Sequence, residues 1–251
     1  MNGLEAKGRW VRWMLLVMLC GFIAPHLPGQ NRVHIGVGFN QSYAPLDSLN
    51  YVLQSFNAEN DWTDAKPMHS IHMPAGLTAH MGADFAGVLV DFHYTMRMAS
   101  TRSKGPLSGS LPEPSQEIIV RYNASTMDLG IGVFFIRKPR FRMAIGQSID
   151  FGNVRISGKR GPSESLPSQI FGRFVNELNL GTTSFLHTMI AFQDGVGPGI
   201  FIRPYFQFGL YQNDYGPLNR AIRPIEYLND PLFILGRQTN AGLKVGVFFG
   251  S

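Results

Sequence analysis

The chain has 251 residues, 44% hydrophobic and 16% charged, with 22 Lys and Arg against 17 Asp and Glu. Its cations stand singly, so no basic run or helix face forms a stripe for nucleic acid. A single cysteine, Cys20, excludes a disulfide framework.

Residues 1–29 read as a cleaved secretion signal. Lys7, Arg9 and Arg12 form a basic start, and Trp13–Ala24 a twelve-residue apolar stretch. Pro25, Pro28 and Gly29 then break the helix before a cleavage point near Gly29–Gln30. That stretch is short of the roughly 20 residues a membrane helix needs. Cys20 lies inside it, and Leu19 before it is too large for a lipoprotein signal, so the mature chain carries no thiol. Loss of Glu5, Lys7, Arg9 and Arg12 leaves 19 cations against 16 acids, a formal +3. Residues 30–251 form one domain of normal size for a β-barrel.

Eight strands follow from alternation of apolar and polar residues, which a strand projects to opposite faces. They run at about Arg32–Ser42, Ile71–Gly82, Gly87–Thr101, Gln116–Ile136, Arg140–Ile156, Ile170–Phe192, Gly199–Gln212 and Gly236–Phe249. In the first, Val33, Ile35, Val37 and Phe39 oppose His34, Gly36, Gly38 and Asn40. In the third, Val88, Val90, Phe92, Tyr94, Met96 and Met98 oppose Asp91, His93, Thr95 and Arg97. In the seventh, Ile200, Ile202, Phe206, Phe208 and Leu210 oppose Arg203, Tyr205, Gln207 and Tyr211. The fourth changes parity between Ala124 and Met127, as at a bulge or where a strand leaves the membrane. Gln147 is out of place on the apolar face of the fifth.

The gaps alternate in length. Tyr43–Ser70, Arg102–Ser115, Ser157–Gln169 and Asn213–Leu235 are long, whereas Ala83–Ala86, Arg137–Pro139 and Gln193–Pro198 are tight. An up-and-down barrel sorts its connections in this way, with long loops outside and short turns at the periplasmic rim beside both termini. In the first long gap Leu49, Val52, Leu53 and Phe56 have helical spacing between Ser48 and Asn57. The third gap is polar and Gly/Pro-rich, as in a mobile loop. Aromatics near strand ends (Phe39, Tyr43, Phe85, Phe134, Phe135, Phe192, Tyr211, Phe248) suit interfacial girdles. The fold class expected is an all-β, eight-stranded antiparallel up-and-down transmembrane barrel with one short loop helix.

With the apolar face against lipid, the polar face fills a lumen wide enough only for side chains. Eight glycines line it: Gly36, Gly38, Gly82, Gly130, Gly132, Gly146, Gly181 and Gly246. Between them stand His34, His80, Asp84, Asp91, His93, Arg97, Asp128, Arg142, Asp150, Glu177, His187, Arg203, Tyr205 and Lys244. Unpaired buried charge is costly. The expectation is a structural network with Arg97, Arg142, Arg203 and Lys244 held against Asp91, Asp128, Asp150 and Glu177.

Neither metal nor cofactor is expected. The four inward histidines lie on the first, second, third and sixth strands, and no HxH or HExxH spacing gathers them. Gly36-x-Gly38 lacks the strand–helix setting of a nucleotide site. No catalytic residues are assigned. Ser184 and His187, three apart in a strand, face opposite ways, and His69–Ser70 is an isolated pair. The sequon Asn123-Ala124-Ser125 and the O-glycosylation-like Asp47-Ser48-Leu49 are three-residue matches of the kind that arise by chance.

Several segments together carry a resemblance: Gly29-Gln30 at the end of the leader, the opening strand His34–Asn40, the insert Leu49–Asn57, and Ile202-Arg203-Pro204-Tyr205-Phe206-Gln207-Phe208. The chain resembles the small outer-membrane β-barrel proteins of Bacteroidota, broadly the OmpA-like or porin-family barrels. The resemblance covers nearly all of the mature chain. It implies an envelope barrel in outer-membrane lipid, in some members part of a secretion or assembly machine. Such strands often end on a terminal aromatic, whereas Phe249 here is followed by Gly250 and Ser251. The expected function is a monomeric, closed barrel serving an envelope protein complex through its extracellular loops. Three alternatives stay open: a small porin-like channel, a lipid A-modifying barrel enzyme, and a secreted lipocalin-like barrel with its apolar face inward.

Overall fold

The computed structural model of the chain describes residues 32–59, 66–105, 116–162, 169–194, 197–222 and 233–250. The proposed leader and parts of the expected gaps (residues 60–65, 106–115, 163–168, 195–196 and 223–232) lie outside these residues. The elements are β1 (Arg32–Tyr43), α1 (Asp47–Glu59), β2 (Ala75–Phe85), β3 (Val88–Gly105), β4 (Gln116–Arg137), β5 (Phe141–Pro162), β6 (Gln169–Ala191), β7 (Gly197–Gly209), β8 (Gln212–Asp214), α2 (Gly216–Ile222), β9 (Leu235–Arg237) and β10 (Asn240–Gly250). Strands β1 to β7 and β10 close into an eight-stranded antiparallel barrel, each paired with its neighbour in the chain. β1 closes on β10, from His34 opposite Gly250 to Tyr43 opposite Ala241.

The outer surface is apolar. Val33, Ile35, Val37, Phe39, Leu77, Met81, Phe92, Leu129, Ile145, Phe206, Val245 and Val247 all point outward and are exposed. The inward face carries His34, His80, Asp91, His93, Arg97, Asp128, Asp150, His187, Arg203 and Lys244, all buried. A lipocalin-like barrel has the opposite orientation, so the structure excludes that alternative. Gln147 sits on the outer face and is exposed, a lone amide among apolar neighbours.

The barrel is lopsided. β1, β2, β7 and β10 have 11 to 13 residues, close to the roughly 9–11 that cross a bilayer at a tilt. β3 to β6 have 18 to 23. The extra length continues past the outward apolar residues Met98, Met127, Phe151 and Leu178, to where Ser100, Arg102, Lys104, Arg121 and Arg155 are the exposed outward side chains. Four strands therefore stand above the apolar belt as a curved wall.

On that wall the chemistry of the inner face changes. In β4, Ile118, Val120, Tyr122 and Ala124 are buried on the same face as Thr126, Asp128 and Gly130. The parity change expected between Ala124 and Met127 is thus not a bulge. The pairing with β3 and β5 runs unbroken there, and the register shift lies lower, between Phe134 and Ile136. What changes is the surroundings: below, the outside meets lipid and the inside is polar, whereas above, the outside meets water and the inside is a core.

That core is completed by the connections. Leu49, Val52, Leu53 and Phe56 of α1 pack with Tyr215, Leu218 and Ile222 around α2, and with Val154, Ile156 and Val175 of the wall. Ser157–Pro162, expected in a mobile loop, is the upper end of β5. The Asp214 carboxylate accepts hydrogen bonds from the amides of Gly216 (2.8 Å) and Ile234 (3.0 Å), starting α2 and fixing the returning chain. Tyr122 donates to Gln238 (2.6 Å), which donates to Tyr215 (3.0 Å), tying wall to cap. Burial, with Tyr122 nearby, raises the pKa of the Tyr215 hydroxyl above its ordinary value. Among the described residues, no helix is long and apolar enough to cross a membrane.

Candidate functional site

The lumen is filled in tiers from the end with the tight turns upward. At the bottom Asp84 lies 3.5 Å from Arg137 and 3.6 Å from Arg142, and accepts from the Gly87 amide at 3.1 Å. Phe134 and Phe248 point inward here and are buried, so neither belongs to an outer girdle. Phe39, Tyr43, Phe85, Phe135, Phe192 and Tyr211 are exposed. Tyr211 lies beyond the end of β7 at Gly209 and so lines no lumen.

The second tier holds the histidines. Arg203 donates through Nη1 to Asp91 Oδ2 and contacts His93 Nε2 at 2.6 Å, while its guanidinium lies 3.5 Å over the Phe185 ring. His34, His80 and His187 stand beside this group. Their ring centroids are 5.2 Å (His34–His80), 5.9 Å (His80–His187) and 6.1 Å (His34–His187) apart. The argument that their strands keep these residues apart is corrected here. Closure sets β1, β2 and β3 side by side, and in so narrow a barrel β6 faces them across the lumen.

Two glycines make room for the rings. His34 pairs with Gly82 and Gly36 with His80 across β1 and β2, and a Cβ on either glycine would collide with the ring opposite. Gly130 gives way in the same manner to the Asp91 carboxylate, and Gly146 to the Phe185 ring and the backbone of the neighbouring strand.

The third tier is ionic. Lys244 donates to Asp128 at 2.5 Å, both side chains almost wholly buried. Tyr205 donates to Asn40 at 3.0 Å. The pairing expected for Arg97 is corrected: it meets three neutral oxygens, Asn240 Oδ1 (2.8 Å), Thr126 Oγ1 (3.0 Å) and Gln207 Oε1 (3.1 Å). Gln207 in turn donates to Asp150 at 2.9 Å, so the amide relays between cation and carboxylate. Asp150 also accepts from Thr183 (2.5 Å) and Ser148 (2.9 Å). Among the described residues Glu177 likewise has no cation paired with it. It lies higher, half-buried under the cap, and accepts from the Asp214 amide at 3.3 Å.

Every tier is thus occupied. The space among Thr95, Arg97, Asp128, Tyr205 and Lys244 is about 10 Å³, the room of a single water at most. Ser184 is exposed on the outer face and His187 buried on the inner, so they cannot act together. Ser70 accepts a hydrogen bond from Gln54 at 3.3 Å beside the exposed His69, in the return from α1.

An apolar outer belt, an ionic core and bilayer-length strands define a transmembrane β-barrel with a folded cap. The sequence matches no protein-family model and no curated protein. Among solved structures the chain is similar to Ail, the attachment invasion locus protein of Yersinia pestis, at 8% identity and a TM-score of 0.41 over 89% of this chain and 100% of that one. It is also similar to Neisserial surface protein A, at 8% identity and a TM-score of 0.37 over 87% of this chain and 96% of that one. A third is the outer membrane protease OmpT of Escherichia coli, at 9% identity and a TM-score of 0.35 over 89% and 97% of the two chains.

Proposed function

We propose that this is a monomeric, non-conducting barrel of an outer membrane that serves an envelope protein complex through the cap it raises above the lipid. The observation that carries the reading is the asymmetry of the barrel. Four strands overshoot the apolar belt, and the chain folds α1, α2 and the paired strands β8 and β9 against their inner face. A pore has no use for such a core, and a simple anchor needs no wall. On the cap's own surface Tyr51, Phe233 and Leu235 are large, apolar and exposed, as suits a surface covered by a partner.

The test has two arms. Purified protein in a planar bilayer should show no steady conductance, and ohmic openings would mark a channel instead. A photocrosslinking residue at Tyr51 or Phe233 in intact cells should give one discrete protein adduct. Adducts absent from both cap positions would remove the envelope-complex role. The localisation is checked separately: the protein should fractionate with the outer membrane, start near Gln30, and change gel mobility on heating.

A further inference from the structure

All four imidazoles of the second tier have a nitrogen with nothing to bond, but the second nitrogen of His93 is already taken by Arg203, which leaves three rings. His34 Nε2, and both ring nitrogens of His80 and of His187, are buried without a hydrogen-bond partner. Each ring is at least 96% shielded from solvent, with relative exposures of 3%, 4% and 0%. A barrel that only had to fill its lumen would place phenylalanines there, as it does next door with Phe201 and Phe248. From this triangle we infer that the lumen holds a divalent transition-metal ion, bound by His34, His80 and His187.

The geometry fits such an ion. One nitrogen of each ring lies within 4.8 Å of one nitrogen of each of the others. A zinc ion sits about 2.0–2.1 Å from imidazole nitrogen, hence roughly 3.2 Å from a ring centroid, so three rings around it have centroids about 5.2–5.5 Å apart. The observed 5.2, 5.9 and 6.1 Å need only small side-chain rotations to close. Neutral imidazoles without thiolates suit zinc, nickel or copper rather than magnesium or calcium.

The neighbouring residues select this trio. Asp91, His93 and His187 also converge, but Arg203 already occupies Asp91 and His93. An ion there would have to displace a buried guanidinium. Phe201 packs edge-on to His80 with centroids 4.3 Å apart and stacks on His187, which holds those rings in place. A cavity of about 30 Å³ reaches His34 from the end with the tight turns, beside Met189 and Phe248. It offers a way in from that end as far as His34, with room for about one water. Three arginines stand at its mouth; Arg140 is paired with Asp194 and Arg142 with Asp84, which offsets the repulsion of a cation by these two, and Arg32 is the third.

The inference does not depend on what the cap binds. Its test uses the full mature barrel without a histidine tag, folded in detergent, stripped with a chelator and titrated with zinc or cobalt. One ion per barrel is expected. Losing a metal's outer partner alone typically costs about 10–100-fold in affinity, so His80→Gln or His187→Gln should weaken binding by more than about a hundredfold. His69→Gln and His72→Gln, exposed on the cap, should change nothing. A folded wild-type barrel that takes up no ion overturns the proposal. So does uptake that survives His80→Gln/His187→Gln or disappears with His69→Gln/His72→Gln. X-ray absorption on the zinc-loaded wild type needs no variant: three imidazole scatterers support the site, and fewer than three overturn it.

Discussion

The side-chain amide of Asn50 donates to the Ile71 carbonyl at 3.0 Å and accepts from the Ile71 amide at 2.7 Å. One residue of α1 thereby completes the backbone hydrogen bonding of a chain segment 21 positions away. Two turns further on, Asn57 repeats the arrangement with Met68, at 2.8 Å and 2.9 Å. The described part of the return to β2, residues 66–74, has no helix or strand, and these two clamps hold it to the cap.

Asn50→Ala therefore strips both partners from a buried Ile71 backbone. An unsatisfied buried polar group costs about 1–3 kcal/mol, and that loss falls on the cap alone. The barrel should keep its heat-modifiable mobility while protease cuts between α1 and β2 several times faster. Cleavage at the wild-type rate would show that the apolar core, not the clamp, seats this segment.

The reciprocal pairs His34–Gly82 and His80–Gly36 give a second test. Gly82→Ala drives a methyl into the His34 ring, and overpacking of this kind costs about 1–3 kcal/mol. His34→Ala removes the ring that is struck. The double variant should thus recover most of the loss when urea unfolding is followed in lipid vesicles. Additive losses would mean that the glycine serves the backbone rather than the ring.

Much of this architecture is legible in sequence, because lipid outside and ions inside impose a strict two-residue period on β1, β3, β7 and β10. The loop helix shows for the same reason, since Leu49, Val52, Leu53 and Phe56 keep one face. Elsewhere period alone is mute. Ile118, Val120 and Tyr122 break the expected chemistry without breaking register, because the strand climbs out of the bilayer and its inside becomes a core. α2 is a seven-residue helix started by Asp214, too short to leave a period. The convergence of His34, His80, His93 and His187 depends on closure of the barrel. Signals that could have found it were the ring-sized gaps left by Gly36 and Gly82 beside histidines of the neighbouring strand.

Lys244 and Asp128 form an ion pair whose side chains are almost wholly buried, and removing one partner leaves the other charged and buried. Lys244→Met should cost about 3–5 kcal/mol in urea unfolding, because such single deletions strand a charge. Lys244→Met/Asp128→Leu, which removes both charges, should regain most of it. If the double variant is no more stable than Lys244→Met, Asp128 is held by something other than this lysine.

The turn between β2 and β3 offers a gain instead. Ala86 and Gly87 connect the closing pair Phe85–Val88, with φ of 52° and 97°. Positive φ at both central positions is the type I′ hairpin, whose preferred first residue is Asn because its side chain tolerates the left-handed region. An alanine Cβ there crowds the following carbonyl, a cost of about 1–2 kcal/mol. Ala86→Asn retains that backbone and relieves part of the strain. Neither Asp84, which caps the turn through the Gly87 amide, nor the lumen above it is touched. Unfolding in urea should shift to higher concentration by an amount worth about 0.5–1 kcal/mol, chiefly through slower unfolding. A midpoint at or below wild type would mean that this end of the barrel already opens before the rest and sets no limit on its stability.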